Sequence, residues 1–159
     1  MKNIGQSMKH EVISISVTAT INEAAALFVE EHIGTLPVIE EEGKLVGSLH
    51  IRDLLELVMP SWVRLGGDFD FVRGDFSVFE SLLPPPEVYI QPVSSIMVPP
   101  VSVRTESGLL RAFAIMNSHN WYDLPVVDED GWLVGLASRV DVGTALLASW
   151  RNSTKEGAK

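Results

Sequence analysis

Apolar and polar residues alternate over short stretches at 12–15 and 101–103, the period-two pattern of a brief β-strand. Behind the first stretch, Thr20-x-x-Glu23 has the form of a capping box, in which the hydroxyl accepts a backbone N–H and the carboxylate reaches back. Ile21, Ala24, Ala25, Phe28 and Val29 follow at helical spacing, and Leu109, Ala112, Phe113 and Met116 carry a similar stripe later. Apolar runs at 36–39 and 44–49 flank the acidic turn Glu40-Glu41-Glu42-Gly43, whose counterpart is Asp128-Glu129-Asp130-Gly131. A glycine ending each turn supplies the positive φ of a tight hairpin. Second helices are predicted over 53–58 and 141–147. Each unit thus reads β-α-β-β-α over about 45–50 residues, too few to bury a sufficient core alone.

The pattern repeats because the sequence does. LPVIEEEGKLVG at 36–47 returns as LPVVDEDGWLVG at 124–135, an offset of 88 residues, and ungapped extension pairs 12–53 with 100–141. Twelve of those 42 pairs are identical, including Pro37/Pro125, Gly43/Gly131, Gly47/Gly135 and Asp53/Asp141. Two such units packed together make one α/β (α+β) domain with pseudo-twofold symmetry. The boundaries expected are a first repeat at 1–56, an apolar, partly helical insertion at 57–95, a second repeat at 96–150 and a frayed polar tail at 151–159. The insertion carries Trp62 and four of the six Phe (Phe69, Phe71, Phe76, Phe79), an apolar load that implies a packed or subunit-contact role. Ser77-x-x-Glu80 marks a helix start there, ended by Pro84-Pro85-Pro86.

Composition narrows the function. The 159 residues carry a net charge of −9, which disfavours nucleic-acid backbones and anionic membranes. Zero cysteines exclude disulfides and thiolate chemistry. The opening MKNIGQSMKH has no apolar stretch and no uncharged apolar run reaches about 18 residues, so a cytoplasmic protein is expected. His10, His32, His50 and His119 show no paired metal spacing. No glycine-rich phosphate loop or G-x-S-x-G elbow occurs, and the acidic turns lack EF-hand ligand spacing. No catalytic residue is assigned.

The twofold recurrence of helix, LPV, acidic turn and G-x-L-V-G, each followed by a polar residue and Asp, resembles a tandem pair of CBS domains, a Bateman module. The resemblance covers the two copies and leaves the insertion outside. It implies a non-catalytic, energy-sensing regulatory module that binds an adenosine-containing ligand of the AMP, ADP, ATP or S-adenosylmethionine class, with or without Mg, in clefts between the repeats. It also implies a homodimer and a regulated effector protein. The family signature G-h-x-[Ser/Thr]-x-x-Asp stands as Gly47 to Asp53 and Gly135 to Asp141. Asp53 and Asp141 would then bind ribose, with Ser138, Arg139, His50 and Arg52 near phosphate. Ile13, Val101, Leu36, Pro37, Leu124, Pro125 and Tyr122 would frame the base.

The chemistry of these side chains leaves alternatives open. A carboxylate with two acceptor oxygens matches a ribose diol, and an adjacent helix N-terminus suits phosphate. Ser138-x-x-Asp141 is equally a capping box. His50 stands where Ser or Thr is usual and is either a pH-responsive group or a hydrogen-bonded one. Thr35 and Asp123 replace the basic residue many relatives place before LPV, and an anion at Asp123 opposes a phosphate unless Mg or arginine intervenes. Trp121 and Tyr122 stack on a base or belong to the core. The competing function is a ligand-free structural dimerisation or adaptor protein.

Overall fold

The computed structural model describes residues 2–59 and 83–156. Trp62, Phe69, Phe71, Phe76, Phe79 and the Ser77–Glu80 helix start lie outside them. The first half contains β1 (Ile15–Ser16), α1 (Ile21–Glu31), β2 (Thr35–Ile39), β3 (Leu45–His50) and α2 (Ile51–Leu55). A short α3 (Pro86–Tyr89) follows, then β4 (Val103–Arg104), α4 (Leu109–His119), β5 (Asp123–Val127), β6 (Leu133–Ser138) and α5 (Arg139–Glu156). Each half forms a three-stranded sheet in chain order, with its first pair parallel and its second antiparallel.

Local chemistry explains most of these elements. Thr20 Oγ1 accepts the Glu23 N–H at 3.2 Å and Glu23 accepts the Thr20 N–H at 2.6 Å, closing the expected capping box over α1. Those hydrogen bonds to Thr20, backbone first, hold the Glu23 carboxyl below its ordinary pKa. Gly43 (φ +94°) and Gly131 (φ +87°) close the two hairpins in the left-handed region that only glycine enters freely. Ile21, Ala24 and Phe28 bury one face of α1, and Leu109, Ala112 and Met116 the matching face of α4. Val29 is 80% exposed, because eight residues of helical advance from Ile21 carry it past the stripe. Phe113 likewise sits at the rim.

Several boundaries differ from the sequence reading. The first strands begin at Ile15 and Val103, not at 12 and 101, because only Ile15–Ser16 and Val103–Arg104 reach parallel partners. The alternation before them records packing: Ile13 leans on the first core and Val101 on the second. The second helices start two residues before Asp53 and Asp141, which therefore occupy the third helical position. Helix α5 runs through the polar tail to Glu156, where fraying was expected from 151. Pro86 opens a further short helix, its missing N–H costing nothing in a first turn.

The largest difference is an exchange of lead-in segments. Residues 4–9 precede the first repeat in sequence yet complete the second. Ile4 is fully buried in the second core, its N–H donates to Ser107 O at 3.0 Å, and Lys9 bridges Leu136 of β6. Reciprocally, Val93 is buried in the first core, its N–H donates to Ala19 O at 2.7 Å, and Val98 bridges Ser48 of β3. Two glycines of the repeat make room for these arms. A Cβ on Gly47 would lie 2.9 Å from Val98 O, and one on Gly135 would lie 3.0 Å from Lys9 O while colliding with Met8.

Residues that touch their own repeat mates mark the pseudo-twofold axis. At one end Lys44 bridges Trp132, with Leu45 N–H donating to Gly131 O and Leu133 N–H to Gly43 O, each at 3.1 Å. At the other end Thr35 Oγ1 donates to Asp123 Oδ2 at 2.9 Å. Both pairs are separated by the repeat offset. The joint between the halves is therefore hydrogen-bonded at each end.

Candidate functional site

The Thr35–Asp123 end of the axis opens into a cavity of about 220 Å³, lined by Gly34, Thr35, His50, Ile51 and Arg52 from one half and Asn120 to Asp123 from the other. Gly34 makes the space: it is the mate of Tyr122, and a Cβ at Gly34 would meet nothing within 4 Å. The walls are fixed by matching backbone bonds, Ile51 N–H to Gly34 O at 3.0 Å and Arg139 N–H to Tyr122 O at 2.7 Å.

A short polar relay crosses this end. The Thr35 hydroxyl donates to Asp123 and also lies 3.4 Å from His50 Nδ1. The other ring nitrogen, Nε2, is buried and has no hydrogen-bond partner among the described residues. Burial lowers the His50 pKa, assisted by Arg52 and opposed by the charges of Asp53 and Asp123. The ring lies 4.8 Å from that of Trp121, which stacks at 4.6 Å on His119. Trp121 is 5% exposed and belongs to the second core.

The two aspartates act as caps. Asp53 Oδ2 accepts the His50 N–H at 2.7 Å, while Asp141 Oδ2 accepts the Ser138 N–H at 3.2 Å and the Ser138 hydroxyl at 2.7 Å. Ser138 Oγ in turn accepts the Asp141 N–H at 3.0 Å, completing the capping box. Neither aspartate lines the central cavity. In both, the hydrogen bonds engage Oδ2 only, so Oδ1 remains open among the described residues.

The other named residues divide sharply. His50, Arg52 and Tyr122 line the cavity, whereas Ser138, Arg139, Ile13 and Val101 do not. Arg139 lies over the Tyr122 ring, 4.9 Å from its centroid, and its Nη2 donates to Met116 O at 3.3 Å, so one face of Tyr122 is already covered. Leu36, Pro37, Leu124 and Pro125 are fully buried, and the two leucines sit in the separate cores. None of these four lines the central cavity. Gly34 and Asn120, which no motif singled out, do belong to the wall. Gly34 was findable as the small mate of an aromatic residue. Among the described residues no three His, Asp or Glu side chains are grouped to hold a metal. No helix among them is long and apolar enough to cross a membrane.

Two fused sheets with matched hairpins and exchanged arms agree with a family model, CBS domain, that matches residues 1–60 and 93–148. The chain belongs to the CBS-domain family. This CBS pair is 32% identical over 160 residues to CBS domain-containing protein CBSX1, chloroplastic, of Arabidopsis thaliana, covering 96% of this chain and 67% of the relative. It is 31% identical over 139 residues to CBSX2, chloroplastic, of the same plant, covering 84% of this chain and 58% of that one. The pair therefore spans about two thirds or less of the length of these relatives. Among solved structures, that of CBSX2 from Arabidopsis thaliana superimposes with a TM-score of 0.71 at 28% identity over 94% of this chain and 96% of the other. CBSX2 in complex with AMP gives a TM-score of 0.69 at 26% identity over 93% and 98%.

Proposed function

We propose that this CBS pair is a non-catalytic regulatory module that binds an adenosine-containing ligand between its repeats. One observation carries the reading: a cavity walled by both halves is lined by a buried histidine whose Nε2 has no hydrogen-bond partner among the described residues. A buried polar atom left unsatisfied costs about 1–3 kcal/mol, which a polar group of a ligand would recover. Adenine and ribose both carry polar groups able to pair with that nitrogen. The complex of the similar CBSX2 with AMP supports the ligand class. A volume of about 220 Å³ is below the roughly 300 Å³ of small-molecule sites, so one moiety enters and the rest lies over the rim. There Arg52 meets a phosphate and the open oxygen of Asp53 or Asp141 a ribose hydroxyl.

A ligand bridging the halves acts on their relative arrangement only through its differential affinity for the two states. Transmission runs through a homodimer and an effector protein. Exposed Leu110 and Leu147 on α4 and α5 favour self-association, which size-exclusion chromatography with light scattering tests directly. Ligand binding is tested by thermal-shift measurements with AMP, ADP, ATP and S-adenosylmethionine on the wild type and Asp141→Ala. The expected result is a saturable rise in melting temperature for at least one compound that the substitution reduces. No rise with any of them overturns the proposal and leaves the adaptor reading.

A further inference from the structure

We infer a second ligand site, for the phosphoryl group of a small phosphorylated molecule, in a polar cavity of the second half that the central site does not use. It lies at the opposite end of the second sheet from Asp123 and the central cavity, where β4 and β5 end, and is lined by Ser102, Val103, Arg104, Ser107, Arg111 and Val127. Its volume is about 370 Å³. Two guanidinium groups and two hydroxyls surround it, and its wall includes no carboxylate. In a chain of net charge −9, such a local positive cavity runs against the overall field.

Two carboxylates lie nearby outside the wall: Glu106 accepts the Thr105 hydroxyl at 3.0 Å and its charge also acts on Arg104, while Asp128 accepts the N–H groups of Asp130 and Trp132 at 3.0 and 2.9 Å. Arg111 therefore supplies the positive charge that no carboxylate offsets on the wall. Ser107 Oγ accepts the Arg104 N–H at 3.1 Å, which fixes the loop and leaves its own proton to donate. The loop is further held by the exchanged N-terminal arm, through Gly5 N–H to Thr105 O at 2.8 Å and Ile4 N–H to Ser107 O at 3.0 Å. Two guanidinium groups and two hydroxyls on the wall of one cavity match the several acceptor oxygens of a phosphoryl group.

The first repeat shows what this place holds when it supplies its own anion. The mates of Gly108 and Arg111 are Thr20 and Glu23, and there the Glu23 carboxylate sits against the start of α1, bound by Thr20 N–H and hydroxyl. Arg104 and Ser107 have Ser16 and Ala19 as mates. The second half has lost the internal carboxylate and gained two arginines, with no side-chain cap from Gly108. The four side chains of the cavity constitute the site, and the contrast between halves indicates the charge of its occupant.

The test uses the full chain and inorganic phosphate as probe, at constant ionic strength, followed by amide chemical shifts. The expected result is saturable shifts confined to residues around Arg104 and Arg111 in the wild type. Binding should weaken at least tenfold in Arg104→Gln with Arg111→Gln, and vanish in Gly108→Thr with Arg111→Glu, which reinstates the internal carboxylate. Gly34→Tyr, which takes up space in the central cavity, should leave these shifts unchanged. Linear, unsaturable shifts, or equal affinity in the glutamine double variant, would overturn the inference. So would succinate binding as tightly as phosphate, since the cavity would then not distinguish a phosphoryl group.

Discussion

Replacing Ile4 by alanine tests the exchange of arms quantitatively. Ile4 precedes the first sheet in sequence, yet it is fully buried in the second core with Val103, Leu109, Met116 and Trp121. If residues 4–9 were an independent leader, the change would cost nothing measurable. With the observed packing, three buried carbon groups are lost at about 0.8 kcal/mol each, near 2.4 kcal/mol. The cavity left behind raises this to about 3–4 kcal/mol, because the arm is pinned by backbone bonds and cannot collapse inward. For a chain of this size that is a fall in melting temperature of roughly 6–16 °C. Equilibrium urea unfolding followed by far-ultraviolet circular dichroism gives the free energy. The midpoint should drop with the slope unchanged, in one cooperative transition, since each arm ties the halves together. A loss below about 1 kcal/mol, which would place Ile4 among ordinary surface residues, refutes the reasoning.

Three further outcomes follow from the same geometry. Gly47→Ala and Gly135→Ala each press a methyl group into the arm of the other half and should cost about 1–3 kcal/mol by urea unfolding. Gly143→Ala, in α5 where a Cβ meets nothing within 4 Å, should stabilise by about 1 kcal/mol in the same assay. His50 has its folded pKa held below the ordinary 6.5 by burial, so the unfolded chain binds more protons in that window. The stability it confers is complete above that pH and is lost as pH falls through the folded value. Unfolding free energies measured between pH 5 and 8 should therefore rise with pH more steeply in the wild type than in His50→Gln, and equal slopes would contradict the burial argument.

Local elements were legible where one residue type has one use. Gly43 and Gly131, the Thr20–Glu23 box and the matched LPV strands were each read from short patterns and stand in the structure. The exchanged arms were not, for a definite reason. Residues 4–9 align with 93–98 at an offset of 89, one residue away from the main register, and share only Met8 and Met97 as identities. An ungapped comparison stops before reaching them. The aspartates illustrate another limit, because a helix cap and a sugar receptor demand the same residue at the same spacing, and the fold commits one oxygen of each to the cap. The His50 relay depends on a bond between Thr35 and Asp123. That contact was implicit in the repeat, since residues on a twofold axis must meet their own mates, but composition alone does not say which pairs lie there.

The central claim is that an adenosine-containing ligand enters the cavity shared by the two repeats, and calorimetric titration of AMP into the wild type and Gly34→Tyr tests it most directly. A Cβ at Gly34 meets nothing within 4 Å, so the backbone there accepts a side chain, and a tyrosine ring at this wall position takes up cavity space. The account predicts a saturable AMP isotherm for the wild type and an affinity at least tenfold weaker for the variant, with both proteins melting at the same temperature in the absence of nucleotide. Equal affinities, or no heat of binding in the wild type, would contradict it.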